Sequence, residues 1–162
     1  EHKTIALAPL YFTIKSSFTN FLNAERDITF QKNLAIAFLL NNDYNKVLDY
    51  SNTILNEYPK MIFTYLCQIR ILIILAHIGL KNFLLLETLC RSFTYFVNEN
   101  DKLTEDEKLI VSLVHKIEKC KSPKETHRVM KSHLSFFKKH TIEEGQYFFV
   151  KRFLEKQDDV LK

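Results

Sequence analysis

Glycine occurs only twice in the 162 residues, proline three times and tryptophan not at all. Folds rich in tight turns need Gly, Pro, Asn and Asp at many positions, so this scarcity excludes most β and mixed architectures and points to a nearly all-helical chain. With glycine only at 79 and 145, neither G-x-G-x-x-G nor G-x-x-x-x-G-K-[ST] can be written, which excludes the usual phosphate-cradling loops. Cysteine is present at 67, 90 and 120, an odd number without a C-x-x-C pair. That matches neither a disulfide framework nor a zinc cage; the three read as small apolar core residues in a reducing, cytoplasmic setting. The six histidines form no H-E-x-x-H and no i,i+4 pair, so no helical metal site is expected, and no cofactor. His77 reads as a satisfied interior histidine. No Ser/His/Asp or Cys/His constellation is indicated, and the expectation is a protein that is not an enzyme. Long hydrophobic runs are missing as well. The apolar region from Ile62 to Leu86 carries Arg70 near its centre, and its longest uninterrupted run, Ile71 to Ala76, falls far short of the ~20 residues that a membrane span requires. At the start, Glu1-His2-Lys3 and a short apolar stretch broken by Pro9 do not make a signal peptide. The lack of an initiating Met suggests a piece of a longer chain.

What is present is an ordinary globular composition: 46% hydrophobic, 26% charged and a formal net charge of +4, enough for a single domain over residues 1–162. Start and stop signals divide it into about eight helices. The first runs from about Thr4 or Leu10 to Asn23. The second covers Asp27 to Asn41, with Phe30, Leu34, Phe38 and Leu39 on one side, and Asn41-Asn42-Asp43 breaks it, because short polar side chains tolerate left-handed geometry. The third, Tyr44 to Glu57, ends before Pro59. The fourth takes Lys60 to Ile78 and stops at Gly79; the fifth takes Asn82 to Asn98. Thr104 with Glu107, Ser122 with Glu125 and Thr141 with Glu144 each fit the S/T-x-x-E capping box and open helices at Glu105–Cys120, Pro123–His140 and Ile142–Gln157. Short connections make successive helices antiparallel neighbours, either in a solenoid or in a compact helical bundle.

Residues 28–61 favour the solenoid. Asn33-Leu34-Ala35-Ile36-Ala37-Phe38, then Asn42-Asp43-Tyr44, Val47, Tyr50, Ile54 and Pro59 resemble a tetratricopeptide repeat, whose unit of about 34 residues reads N-L-G/A-x-A-Y, G-D-Y, A, Y, A, P. Small Ala35 would let the two helices approach, Phe38 and Tyr44 would wedge between them, and Pro59 would end the second. Asn42 stands where Gly is usual, and Val47 and Ile54 where Ala is usual, so the repeat is degenerate. A weaker copy lies 39 residues on, within about 62–100, where Asn82-Phe83 and Leu86 answer Asp43-Tyr44 and Val47, and Ile73-Ile74 answer Leu34-Ala35. The pair at 104–140 repeats only the helix–turn–helix plan, and the last helix, within 141–158, would cap the array as the C-terminal part of a longer repeat protein.

The resemblance implies a non-catalytic module that binds a peptide or partner protein in a groove lined by the first helix of each pair, with Lys32, Asn33, Ile36, Leu39 and Leu40 as its exposed residues and Arg70 as a further candidate. Asn33 matches the Asn with which some such repeats hold a C-terminal carboxylate. Gln68 and Leu72 stand where that arrangement needs basic residues, so it does not extend here. Charge is uneven: residues 115–162 carry 12 Lys and Arg against 7 Asp and Glu. Lys124, Arg128, Lys131 and Lys138 fall on one stripe opposite Val129, Met130, Leu134 and Phe137. This basic face gives an alternative, an α-domain that meets nucleic acid or an acidic surface. Self-association through the apolar fourth helix is a third reading.

Overall fold

The computed structural model describes residues 24–99, 103–139 and 147–160. Among them are seven α-helices and no strand: α1 Ala24–Leu40, α2 Tyr44–Glu57, α3 Phe63–Gly79, α4 Phe83–Asn98, α5 Glu105–Glu118, α6 Pro123–Lys139 and α7 Phe148–Val160. The expected helix before Asn23 and the expected Thr141–Glu144 cap lie outside the described residues. The described part divides into two compact units, one up to Ala76 and one from His77 onward, with the division inside α3.

In the first unit α1 packs against α2. Ala35, the small residue expected at the crossing, is fully buried, and so are Val47, Ser51 and Ile54 of α2. Phe38 is buried and stacks on Tyr50, with ring centroids 5.5 Å apart, while Lys46 Nζ sits 4.9 Å above the same ring. Tyr44 is half-buried and donates its hydroxyl to Asn42 Oδ1 at 2.9 Å. The turn is a Schellman motif: Asn42 N–H donates to Leu39 O at 3.1 Å, Asp43 N–H to Phe38 O at 3.0 Å, and Asn42 takes φ 61°. Asp43 then caps α2, accepting from Lys46 N–H. At the far end of the pair, Asp27 is 2% exposed and accepts from Gln31 Nε2 at 2.9 Å and from the Tyr58 hydroxyl. A buried carboxylate is tolerated because donors of this kind replace its water. Burial and the adjacent Asp27 carboxylate push the Tyr58 pKa well above its usual value.

Two polar bonds join α1 to α3. Thr29 Oγ1 lies 3.0 Å from Tyr65 Oη, and Lys32 Nζ donates to Gln68 Oε1 at 2.8 Å. Both span 36 residues, so the two helices lie side by side and run the same way. From Cys67 to Ala76 every α3 residue except half-buried Arg70 is buried. α3 begins at Phe63 instead of Lys60, because Pro59 and the turn after it delay the helical start.

The second unit opens on a turn that copies the first at the expected 39-residue interval. Lys81 N–H donates to Ile78 O at 3.0 Å and Asn82 N–H to His77 O at 2.9 Å; Lys81 takes φ 58°. Asn82 has φ −88° and ψ 69°, against −89° and 68° at Asp43, although Asn82 makes no side-chain cap. Successive helices from α4 to α7 pack on one another. Leu86, Cys90, Phe93 and Val97 form the buried stripe of α4, Ile110, Leu113, Val114 and Ile117 that of α5, Met130, Leu134 and Phe137 that of α6, and Phe149, Val150, Phe153 and Leu154 that of α7.

The capping box at α5 is complete: Glu107 N–H donates to Thr104 Oγ at 3.2 Å, and Thr104 N–H to Glu107 Oε2 at 2.9 Å. The other oxygen of Glu107 accepts from the Tyr147 hydroxyl at 2.8 Å, a bond reaching 40 residues along the chain. At α6, Glu125 N–H donates to Ser122 Oγ at 3.3 Å, but the Glu125 carboxylate accepts from Lys121 N–H, not from Ser122. α7 extends to Val160, beyond the expected end at Gln157, and its described start is Phe148.

Candidate functional site

The expected groove residues separate into three groups. Asn33 is exposed, as anticipated. It shares a cleft of about 530 Å³ whose described lining is Glu25, Arg26, Thr29, Phe30 and Asn33, all on α1. Arg26, Phe30 and Asn33 recur at four and three residues, which places them on one stripe of the helix. Phe30, expected on one side of the helix with Leu34, Phe38 and Leu39, is 39% exposed on this stripe.

Lys32 is half-buried beside the cleft, with Nζ donating to Gln68 and lying 5.1 Å from the Tyr65 ring centroid. Desolvation lowers its pKa from the ordinary lysine value. Leu40 is half-buried at the end of α1, and Arg70 half-buried in α3.

Ile36 and Leu39 depart from expectation. They are 6% and 1% exposed and belong to the interior. The stripe Thr29, Lys32, Ile36, Leu39 continues from the two residues that bond to α3. α1 is therefore covered on two sides, and its exposed surface is narrower and rotated toward Arg26, Phe30 and Asn33. Helical spacing alone contains this stripe, but only the neighbour reveals which arc it covers.

On α6, Lys124 and Arg128 are exposed as expected. Lys131 is exposed too, yet its ammonium is held 3.2 Å from Asp158 Oδ1 of α7. The side chain of Lys138 lies outside the described residues. The basic face is thus partly neutralised by its own neighbour. Cys67 and Cys90 are buried as anticipated, while Cys120 is half-buried.

His77 is half-buried, and its Nδ1 is buried without a hydrogen-bond partner among the described residues, where a satisfied interior histidine was expected; burial lowers its pKa. His133 is 1% exposed, with Nδ1 3.0 Å from the Val129 carbonyl. Burial lowers its pKa, nearby Lys116 lowers it further, and the Val129 bond acts in the opposite sense. Ser132 Oγ lies 3.4 Å from this ring but donates to Val129 O at 2.8 Å, so its hydroxyl is turned to the backbone. Among the described residues no group of three or more His, Cys, Asp or Glu is placed to hold a metal ion, and no helix is long and apolar enough to cross a membrane.

Comparison of the chain with family models, with curated proteins and with solved structures finds no match.

Proposed function

We propose that this chain is a tetratricopeptide-like helical-repeat module that acts without catalysis, receiving a peptide or partner protein on the exposed stripe of α1 and the adjoining edge of α3. The observation that carries the reading is the recurrence of one Schellman turn, with matching dihedral angles, at an interval of 39 residues. A turn repeated in backbone detail within two successive helix pairs, at a fixed interval, fits a repeat array. The two bonds of equal 36-residue span between α1 and α3 support the same reading, since first helices of successive repeats run parallel. The binding surface is then the α1 cleft: Phe30 offers an aromatic contact, Arg26 and Asn33 offer donors, and half-buried Lys32 adds positive charge beside them.

Selection from a displayed random-peptide library, followed by amide chemical-shift mapping, tests this. Enriched peptides are expected to move the amides of Arg26, Phe30, Lys32 and Asn33, and to lose about tenfold or more in affinity, roughly 1.4 kcal/mol, in Phe30→Ser/Asn33→Asp. Failure to enrich any peptide, or binding unaffected by the double variant, would overturn the proposal. Shifts confined to Lys124 and Arg128 that vanish at high salt would transfer the function to the basic face of α6.

A further inference from the structure

A second cleft, of about 570 Å³, lies wholly within the second unit, between the start of α4 and the α5–α6 turn. Its lining is two-sided. Phe83, Leu84 and Leu86 supply an apolar wall from α4, joined by Ile117 of α5. Leu84 is 93% exposed and Leu85 beside it 50% exposed, with Leu80 of the preceding turn also exposed. A leucine so completely in water gains nothing for the fold, and of these three it is Leu84 that lines the cleft.

Across from it the α5–α6 turn is polar, with Glu118, Lys119 and Lys121, while α4 itself adds Glu87 beside its apolar residues. These charges are not equally available. Glu87 is bonded to Arg91 Nη2 at 2.6 Å, and Glu118, whose side chain is 18% exposed, lies 3.6 Å from both Arg91 Nε and His115 Nδ1. The acidic groups are therefore answered within the protein. Lys119 and Lys121 are exposed and enter no ion pair among the described residues, and Lys124 follows them in the first turn of α6, also exposed. The charge still open at the cleft is positive, and it faces an apolar wall. A ligand that fits both presents a row of apolar side chains with carboxylates along one flank. Burying the leucines supplies the affinity, while the lysines set orientation and rate of encounter.

We infer that this cleft is a docking site for an acidic amphipathic segment of a partner protein. It is separate from the α1 cleft and does not depend on the function proposed for that surface.

The probe is a fluorescein-labelled amphipathic helix of Leu and Glu, about five turns long, titrated with the full chain and followed by fluorescence anisotropy at about 0.15 M ionic strength. A Leu/Lys peptide of the same pattern and a scrambled Leu/Glu peptide serve as controls. The Leu/Glu helix should bind, and the controls at least about tenfold more weakly. Leu84→Asp should remove binding, and so should Lys119→Glu/Lys121→Glu, with unchanged far-UV circular dichroism because all three side chains are exposed. The same double charge reversal should improve binding of the Leu/Lys helix, which a merely sticky patch would not do. Equal binding of all three peptides, or retention of the Leu/Glu helix by both variants, would overturn the inference. So would a molecular mass that doubles with concentration in the wild type and not in Leu84→Asp, because the occupant would then be a second copy of the chain.

Discussion

Replacing Lys81 by glycine should stabilise the protein, while the same change at Asn42 should not. Both residues sit at the left-handed position of equivalent turns, with φ 58° and 61°. That conformation costs a residue with a β-carbon about 1–2 kcal/mol. Glycine escapes the cost but loses about 0.5–1 kcal/mol more backbone entropy on folding. Among the described residues the exposed Lys81 side chain has no ion pair or hydrogen bond to forfeit, so Lys81→Gly should gain about 0.5–1 kcal/mol. Asparagine already tolerates the left-handed region, and Asn42 also accepts from the Tyr44 hydroxyl at 2.9 Å. Asn42→Gly should therefore fall between neutral and a loss of about 0.5 kcal/mol. Lys81→Ala is the control, since it removes the side chain but keeps the β-carbon, and it should stay within about 0.5 kcal/mol of wild type. Urea unfolding followed by circular dichroism measures all three, provided the slopes agree so that midpoints can be compared. If Lys81→Gly were no more stable than Lys81→Ala, the left-handed assignment at Lys81, and with it the repetition of the turn, would be refuted.

Other perturbations follow from the buried carboxylates and the histidines. Tyr58→Phe removes a donor from buried Asp27 and should cost about 1.5–3 kcal/mol near neutral pH. Because the folded-state pKa of Tyr58 is raised, this contribution is complete below the unfolded value of about 10 and is lost as pH climbs beyond it, so chemical denaturation at pH 8 and pH 11 should show the gap between variant and wild type shrinking at the higher pH. Tyr147→Phe should likewise cost about 1.5–3 kcal/mol through Glu107, and Thr104→Ala about 1 kcal/mol through the cap; exact additivity in a double-mutant cycle would show that Glu107 does not couple them. His133 and His77 both have pKa values lowered by burial, so protons bind the unfolded chain first and stability declines as pH falls below about 6.5. His133→Gln should flatten that acid limb in a series of urea midpoints from pH 7.5 to about 5, and an unchanged slope would count against a buried neutral ring.

Local chemistry was readable and neighbours were not. Tyr44–Glu57 has the same ends in sequence and structure because Asp43 and Pro59 act on adjacent backbone, and the Thr104–Glu107 box spans a single turn. Left-handed geometry at Asn42 was legible because asparagine tolerates it. At the second turn Gly79 drew attention, yet the left-handed residue is Lys81, which carries no such preference. The candidate site fared less well. Asn33 falls on an exposed arc as expected, but Phe30, grouped by spacing with Leu34, Phe38 and Leu39, is exposed, and Ile36 and Leu39, expected in the groove, are buried. Periodicity shows that a helix has an apolar arc; the presence of both α2 and α3 beside α1 decides how far it extends. Tyr58 with Asp27 and Tyr147 with Glu107 are bonds across 31 and 40 residues, and no pattern of spacing announces them.

The division between the units cuts α3 but cuts neither of the two matching turns. Residues 38–43 lie on one side and 77–82 on the other, and each turn closes through hydrogen bonds between residues no more than five positions apart. Such contacts carry little loop-closure entropy. During synthesis, each reversal of the chain can form once the helix it closes has emerged from the ribosome, without waiting for anything downstream. A growing chain of this design acquires its direction changes in the order in which it is made, and long-range bonds such as Tyr147 to Glu107 are left to close the structure last.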